Sequence, residues 1–250
     1  MRGLVETRAR ARALILAGDV ILNGVAAIRA GAPVAASDRL ALVEKPRFAS
    51  RGGEKLAYAL ARFGVDPNGA VAADLGASTG GFTDCLLQAG ARRVYAVDVG
   101  YGQLAERLRL DPRVVVLDRT NARSLAGLPE PLALVTIDVS FISLRLVLPT
   151  AARLLEPAGV CVTLIKPQFE AGPREVGKGG VVRSPSVHRR VLVEVLASAE
   201  EIGFGVQGVT ASPLRGPAGN VEFLAHLVLG APSIEIEAAV AAALGEVAAA

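Results

Sequence analysis

Several things are scarce in this sequence, and each shortage closes off a class of protein. There is no tryptophan, and aromatic residues make up 4% of the 250 positions while hydrophobic residues make up 52%. The interior must be filled by Ala, Val and Leu, as in tightly packed strands and helices. The two cysteines, Cys85 and Cys161, both sit in apolar surroundings. That reads as buried reduced thiols sooner than as a disulfide or metal ligands. With two histidines and no close Cys/His cluster, a structural zinc site is not expected, and no metal is called for. No apolar run reaches the roughly 18–20 residues that cross a bilayer. The opening Met1-Arg2-Gly3-Leu4-Val5-Glu6 lacks a secretory apolar segment. A cytoplasmic protein with no membrane partner is expected, with a monomer as the default state.

Net charge is a mild +3, but its distribution is uneven. Residues 1–60 hold ten Lys/Arg against five Asp/Glu, a net +5, which leaves the remainder slightly acidic. A basic head on an acidic body points to a polyanion as the head's partner; the plain alternative is a solvated surface helix. Residues 5–17 read as a helix with Arg8 and Arg12 one turn apart on one face. Val20 to Val25 reads as strand, Asn-Gly turn, strand, and a further short strand is expected within 34–43. Arginines on a helix beside a tight hairpin suit RNA phosphates.

Lys45-Pro46-Arg47-Phe48-Ala49 reads as a linker, because Pro46 disfavours continued regular structure. From about residue 70 strands and helices alternate. The expected strands are 70–75, 93–97, 114–117, 132–137, 159–165, 204–210 and 221–229, with helices near 82–88, 103–108, 144–155 and 188–202. This alternation predicts an α/β fold with a doubly wound parallel sheet. The tail, 234–250, is Ala-rich and reads as helical or frayed.

Such sheets bind ligands at the carboxyl ends of their strands. There the first strand runs into Asp74-Leu75-Gly76-Ala77-Ser78-Thr79-Gly80-Gly81-Phe82. It lacks the Gly-Lys-Ser/Thr of a phosphate-binding loop and the Gly-x-Gly-x-x-Gly of a dinucleotide site. A ligand bearing a nucleoside but no pyrophosphate fits better; a purely structural turn is the alternative. Asp98 ends the second strand, where an acid can bind a ribose diol, and Asp118 follows the third, within reach of an adenine amino group. Acids after three successive strands beside a Gly-rich turn form the pattern of an S-adenosylmethionine methyltransferase.

Four other segments stand out: Arg51-Gly52-Gly53-Glu54-Lys55, Asp138-Val139-Ser140-Phe141-Ile142-Ser143-Leu144, Lys166-Pro167-Gln168-Phe169-Glu170 and Gly219-Asn220-Val221-Glu222-Phe223. Lys166 ends an apolar strand at the same sheet edge as the Gly-rich turn. Taken alone it also reads as a surface lysine. Together these strings resemble the TlyA family of rRNA methyltransferases, also called hemolysins, within the FtsJ-like 2′-O-methyltransferases. The resemblance runs from about Arg8 to Leu229. Residues 1–45 are similar to the alpha-L RNA-binding module, in a copy that reads as shortened at its N-terminus. The domain expectation is thus 1–45 for this module, 46–49 for a linker, 50–232 for a Rossmann-like methyltransferase domain and 233–250 for a tail.

The resemblance implies S-adenosylmethionine as cofactor, with Asp74, Gly76, Ser78, Thr79, Gly80, Gly81, Phe82, Asp98, Asp118 and Asp138 around it. It implies ribosomal RNA in assembled subunits as partner, a cytidine as target, and Lys55, Asp138, Lys166 and Glu222 as the catalytic tetrad. Arg8, Arg12, Arg51 and Lys178 would meet RNA. A ribose hydroxyl is a poor nucleophile, so a base helps. An ordinary lysine, with a pKa near 10.4, serves poorly unless desolvation or a second cation lowers it. Phe141 and Phe169 read either as stacking partners for a flipped base or as core, and the Gly-rich stretch 170–184 as a lid or a connection. The rival functions are a non-catalytic RNA-binding or ribosome-assembly factor, which has no use for the tetrad, and a membrane-acting hemolysin.

Overall fold

The computed structural model describes residues 3–27, 29–43 and 46–249; Lys45, which opens the expected linker, lies outside them. The chain divides into two compact units, Met1–Pro46 and Arg47–Ala250. In the first, helix α1 (Arg8–Leu16) is followed by β1 (Val20–Leu22), β2 (Val25–Ala26) and β3 (Leu40–Leu42) in an antiparallel sheet ordered β2-β1-β3. Thr7 starts the helix: its backbone is extended, and its Oγ1 accepts from Arg10 N at 3.2 Å. Asn23 and Gly24 both take positive φ, as the tightest hairpin turn requires. The expected strand within 34–43 contracts to three residues. Asp38 Oδ2 accepts from Ala35 N at 2.7 Å, a local turn that competes with the ladder. No residue of α1 is buried, and Val20 alone among the described hydrophobic residues of this unit is.

The second unit contains, in order, α2 (Gly52–Phe63), β4 (Val71–Leu75), α3 (Gly81–Gln88), β5 (Arg93–Val97), α4 (Glu106–Arg109), β6 (Val114–Leu117), β7 (Leu132–Ile137), α5 (Leu148–Leu154), β8 (Leu155–Ile165), α6 (Pro167–Glu170), α7 (Pro185–Ile202), β9 (Phe204–Ala211), β10 (Phe223–Leu229) and α8 (Ile236–Ala249). Seven strands form one sheet ordered β6-β5-β4-β7-β8-β10-β9. The five strands β4 to β8 are parallel, as alternation with helices dictates. The expectation of a parallel sheet fails at one edge. β10 is antiparallel to both β8 and β9. The α7 crossover carries β9 one slot too far, and β10 returns without a helix to fill the gap, so it must run the other way.

The strands bury both faces, which explains their continuous apolar runs. Leu164 and Leu224 point into a cluster with α2, α3 and α4; their neighbours Ile165 and Phe223 point into the opposite cluster with α5, α7 and α8. Cys85 and Cys161 are free and buried, one in each cluster. The expected helix at 144–155 breaks into a 3₁₀ turn at Leu144–Leu146 followed by α5, because Pro149 fits only the first turn of a helix. The tail forms the helix α8, which buries Val240 and Ala243. Glu246 of α8 accepts from Thr210 Oγ1 at 2.7 Å and Ala211 N at 2.8 Å, satisfying the exposed edge of β9.

Candidate active site

The Gly-rich turn is dictated by a close approach of backbone. Gly76 lies at φ +91°, and a Cβ there would come within 2.5 Å of the Asp138 carbonyl oxygen. Only glycine permits both. Gly76 N and Ala77 N both donate to Val97 O, at 2.9 and 3.0 Å, which curls the chain back over the sheet edge. Gly80, at φ +96°, turns into α3 with its Cα against Leu104 and Leu108. Asp74 does not face the cavity. It is fully buried and accepts from Thr83 Oγ1 at 2.7 Å and Thr136 Oγ1 at 3.2 Å, tying β4 to α3 and β7. Burial pushes its carboxyl up to about 7; the Thr83 hydrogen bond opposes the rise and the charge of Asp138 adds to it.

Two adjoining cavities open at the carboxyl ends of the parallel strands, of about 600 and 490 Å³, within the usual range for small-molecule sites. Gly76, Ser78, Asp138, Ser140 and Phe141 line both. Thr79, Gly81 and Phe82 line the larger, and Asp98 lines the smaller. Asp98 is fixed by backbone donors, Ser78 N to Oδ2 at 2.8 Å and Gly100 N to Oδ1 at 2.7 Å. Asp118 lies off the lining. Arg109 Nη1 donates to its Oδ2 at 2.9 Å and holds its carboxyl below the usual carboxylate range, with Gly102 N adding a bond at 3.2 Å. Thr120, Asn121 and Ala122 line the cavity beyond it.

The larger cavity collects the four residues from distant elements. Lys55 comes from the first turn of α2, Asp138 from the end of β7, Lys166 from the end of β8 and Glu222 from the entry to β10. They form two ion pairs. Lys55 pairs with Glu222, both buried, and Gln168 Nε2 donates to the same carboxylate at 3.4 Å. Lys166 Nζ lies 2.6 Å from Asp138 Oδ1 and donates to Ser140 Oγ at 2.9 Å. Two cations and two carboxylates thus face one cavity in balanced charge. Among the described residues, no group of His, Cys, Asp or Glu is placed to hold a metal ion, and no helix is long and apolar enough to cross a membrane.

Of the residues expected to meet RNA, Arg51 lines the larger cavity. Lys178 does not, but its neighbours Gly179 and Gly180 do. Arg8 and Arg12 are exposed on α1 of the other unit. Phe141 is 91% exposed at φ +63°, with its ring 4.9 Å from that of Phe169, so it is not core. Sequence reasoning missed Ser140, Gln168 and Asn220. Asn220 is buried and bonds Val182 N at 2.9 Å and Gly180 O at 2.8 Å, holding the Gly-rich stretch beside the cavity. Each of the three lies inside a string already singled out, so the signal was position and not residue type.

The FtsJ-like methyltransferase family model matches residues 48–229. The chain belongs to this family. Within it, the chain is 47% identical to the Mycobacterium tuberculosis 16S/23S rRNA (cytidine-2′-O)-methyltransferase TlyA, over 90% of this chain and 86% of the relative. It is 40% identical to hemolysin A of Brachyspira hyodysenteriae, over 91% of this chain and 96% of the relative. A solved structure of a Streptococcus thermophilus protein assigned to the hemolysins superposes with a TM-score of 0.75 at 44% identity, covering 99% of this chain and 94% of that one. As an FtsJ-like enzyme of the TlyA group, the protein is an S-adenosylmethionine-dependent methyltransferase. The site suits that ligand: Gly76, without a side chain, lines both cavities, and Asp98 presents a carboxylate to the smaller one.

Proposed function

We propose that this methyltransferase modifies the 2′-hydroxyl of a cytidine ribose in ribosomal RNA, acting on assembled ribosomal subunits as a monomer. The observation that carries this reading is the pair of lysine–carboxylate contacts facing one cavity beside the Gly76–Phe82 turn. The activity named for the M. tuberculosis relative supports it.

Gly76, Ser78, Thr79, Gly81, Phe82, Asp98 and Asp138 would hold S-adenosylmethionine, with Asp74 and Gly80 shaping the turn behind them and Asp118 at its margin. Bound there, the cofactor would supply an electrophilic methyl group from a sulfonium that becomes a neutral thioether. Lys166, once its ammonium has given a proton to water, accepts the proton of the ribose hydroxyl at Nζ, which leaves the electron pair on oxygen. Asp138 keeps the resulting ammonium charge compensated. Lys55 and Glu222, buried as a pair, fix the wall against which the ribose rests, and most of the rate comes from alignment. The exposed ring of Phe141 offers a face for a base drawn out of its stack. Arg51 at the cavity, Lys178 next to its Gly179-Gly180 lining, and Arg8 and Arg12 on α1 bind phosphates.

Incubating the protein with unmodified small and large subunits and methyl-labelled cofactor tests the reading. A 2′-O-methyl nucleotide in the rRNA of either subunit, absent with Lys166→Ala, is the expected result. Cofactor binding without label on either subunit would refute the proposed substrate.

A further inference from the structure

The two contacts of Lys166 differ in kind. Asp138 Oδ1, 2.6 Å away, is buried and has no hydrogen-bond partner among the described residues, so its contact with Nζ is an ion pair without hydrogen-bond alignment. Coulomb attraction of this sort holds a charge close but sets no direction. The Phe169 ring, its centroid 5.9 Å from Nζ, adds a second attraction that is equally loose in angle. The contact with Ser140 Oγ, at 2.9 Å, meets hydrogen-bond geometry, and hydrogen bonds weaken steeply when misaligned.

We infer that Ser140 is a positioning residue for the reaction: Asp138 holds Lys166 by charge while it is an ammonium, and Ser140 Oγ, which a neutral amine can still donate to, fixes its rotation about Cε–Nζ. The inference rests on the proposed reading of Lys166 as proton acceptor. A neutral amine carries two N–H bonds and one lone pair in three staggered positions. Ser140 claims one N–H, which confines the lone pair to the two other positions. When the substrate O–H bond breaks, the proton forms the third N–H there, and Ser140 keeps its own proton. Without Oγ the amine rotates freely and presents its lone pair to the hydroxyl for a smaller fraction of the time.

The segment carrying Ser140 is itself held on both sides. Asp138 N donates to Leu75 O at 3.0 Å. Beyond Ser140, the buried Glu170 carboxylate accepts from Ser143 Oγ at 2.6 Å and Leu144 N at 2.7 Å. Between these clamps the chain passes through Phe141 in the left-handed region, a conformation a bulky residue adopts only when its surroundings impose it.

The test uses the full chain with Ser140→Ala, Ser140→Thr and Lys166→Ala, measuring steady-state methylation of ribosomal subunits and cofactor affinity by calorimetry. Loss of one aligned hydrogen bond predicts that Ser140→Ala lowers kcat about five- to tenfold, with KM and cofactor affinity within about twofold of wild type. Ser140→Thr, which keeps a hydroxyl, should recover most of the loss. An unchanged kcat in Ser140→Ala overturns the inference, as does an equal loss in Ser140→Thr or a fall in cofactor affinity matching the loss in rate. If Lys166→Ala keeps full activity, the proton-acceptor reading falls and this inference with it. An inactive Lys166→Ala beside a fully active Ser140→Ala removes this inference alone.

Discussion

Losing one partner of the buried pair of Lys55 and Glu222 should cost far more stability than replacing both. The side chains are 9% and 1% exposed, so neither charge has recourse to water. Glu222→Gln keeps the volume of the side chain but leaves the Lys55 ammonium buried without a counter-charge. Breaking a buried pair in this way costs about 3–5 kcal/mol. In a domain of this size each kcal/mol moves the thermal midpoint by about 2–4 °C, so the midpoint should fall by roughly 6–20 °C. Replacing both residues with apolar groups of similar size, Lys55→Met with Glu222→Leu, removes both desolvation penalties and is expected to be close to neutral for stability. The double variant should therefore melt above the single one, yet transfer no methyl groups. Circular dichroism melts give the midpoints, and label incorporation into ribosomal subunits gives the activity. A loss below about 1 kcal/mol in Glu222→Gln, or a double variant less stable than the single, would refute the reasoning, because an ion pair that water reaches is worth only that much.

Gly76→Ala should abolish measurable cofactor binding by calorimetry, since its Cβ would press on the Asp138 carbonyl and its φ of +91° is disfavoured for any L residue. Glu170→Ala leaves Leu144 N without its acceptor and should cost about 1–3 kcal/mol in urea unfolding, with kcat lowered and cofactor affinity kept. Asp74 gives stability a pH dependence of known sign. Its folded pKa, about 7, lies above the ordinary 3.8, so the folded state holds the proton more tightly. Its contribution is complete below about pH 4 and is lost as pH rises through 7. Urea midpoints from pH 5 to 8 should therefore fall less steeply for Asp74→Asn than for wild type. If Arg8 and Arg12 meet RNA phosphates, replacing each by Ala should reduce the salt slope of rRNA binding by about one, without changing activity on saturating substrate.

Much of this protein was legible in its sequence because local rules and tertiary demands agree. The Asn23-Gly24 turn, the five parallel strands and the glycine cradle at Gly76 each follow from a backbone requirement that a short stretch of sequence states outright. The resemblance to TlyA-type enzymes put Lys55, Asp138, Lys166 and Glu222 in one site before any distance was known, and the fold brings all four to one cavity. Other features are set by contacts between residues far apart in the chain. The antiparallel β10 follows from where α7 deposits β9. Asp118, which reads as an adenine-binding acid, pairs with Arg109 and lies off the cavity lining. Asp74, which reads as a ligand-facing acid, is enclosed by Thr83 and Thr136 and serves the frame of the site. The pairing itself, Lys55 with Glu222 and Lys166 with Asp138 and Ser140, is decided by packing. Sequence determined which charges meet at the edge of the sheet. Only the tertiary structure decided which of them touch, because burial and direction depend on what every neighbouring element leaves exposed.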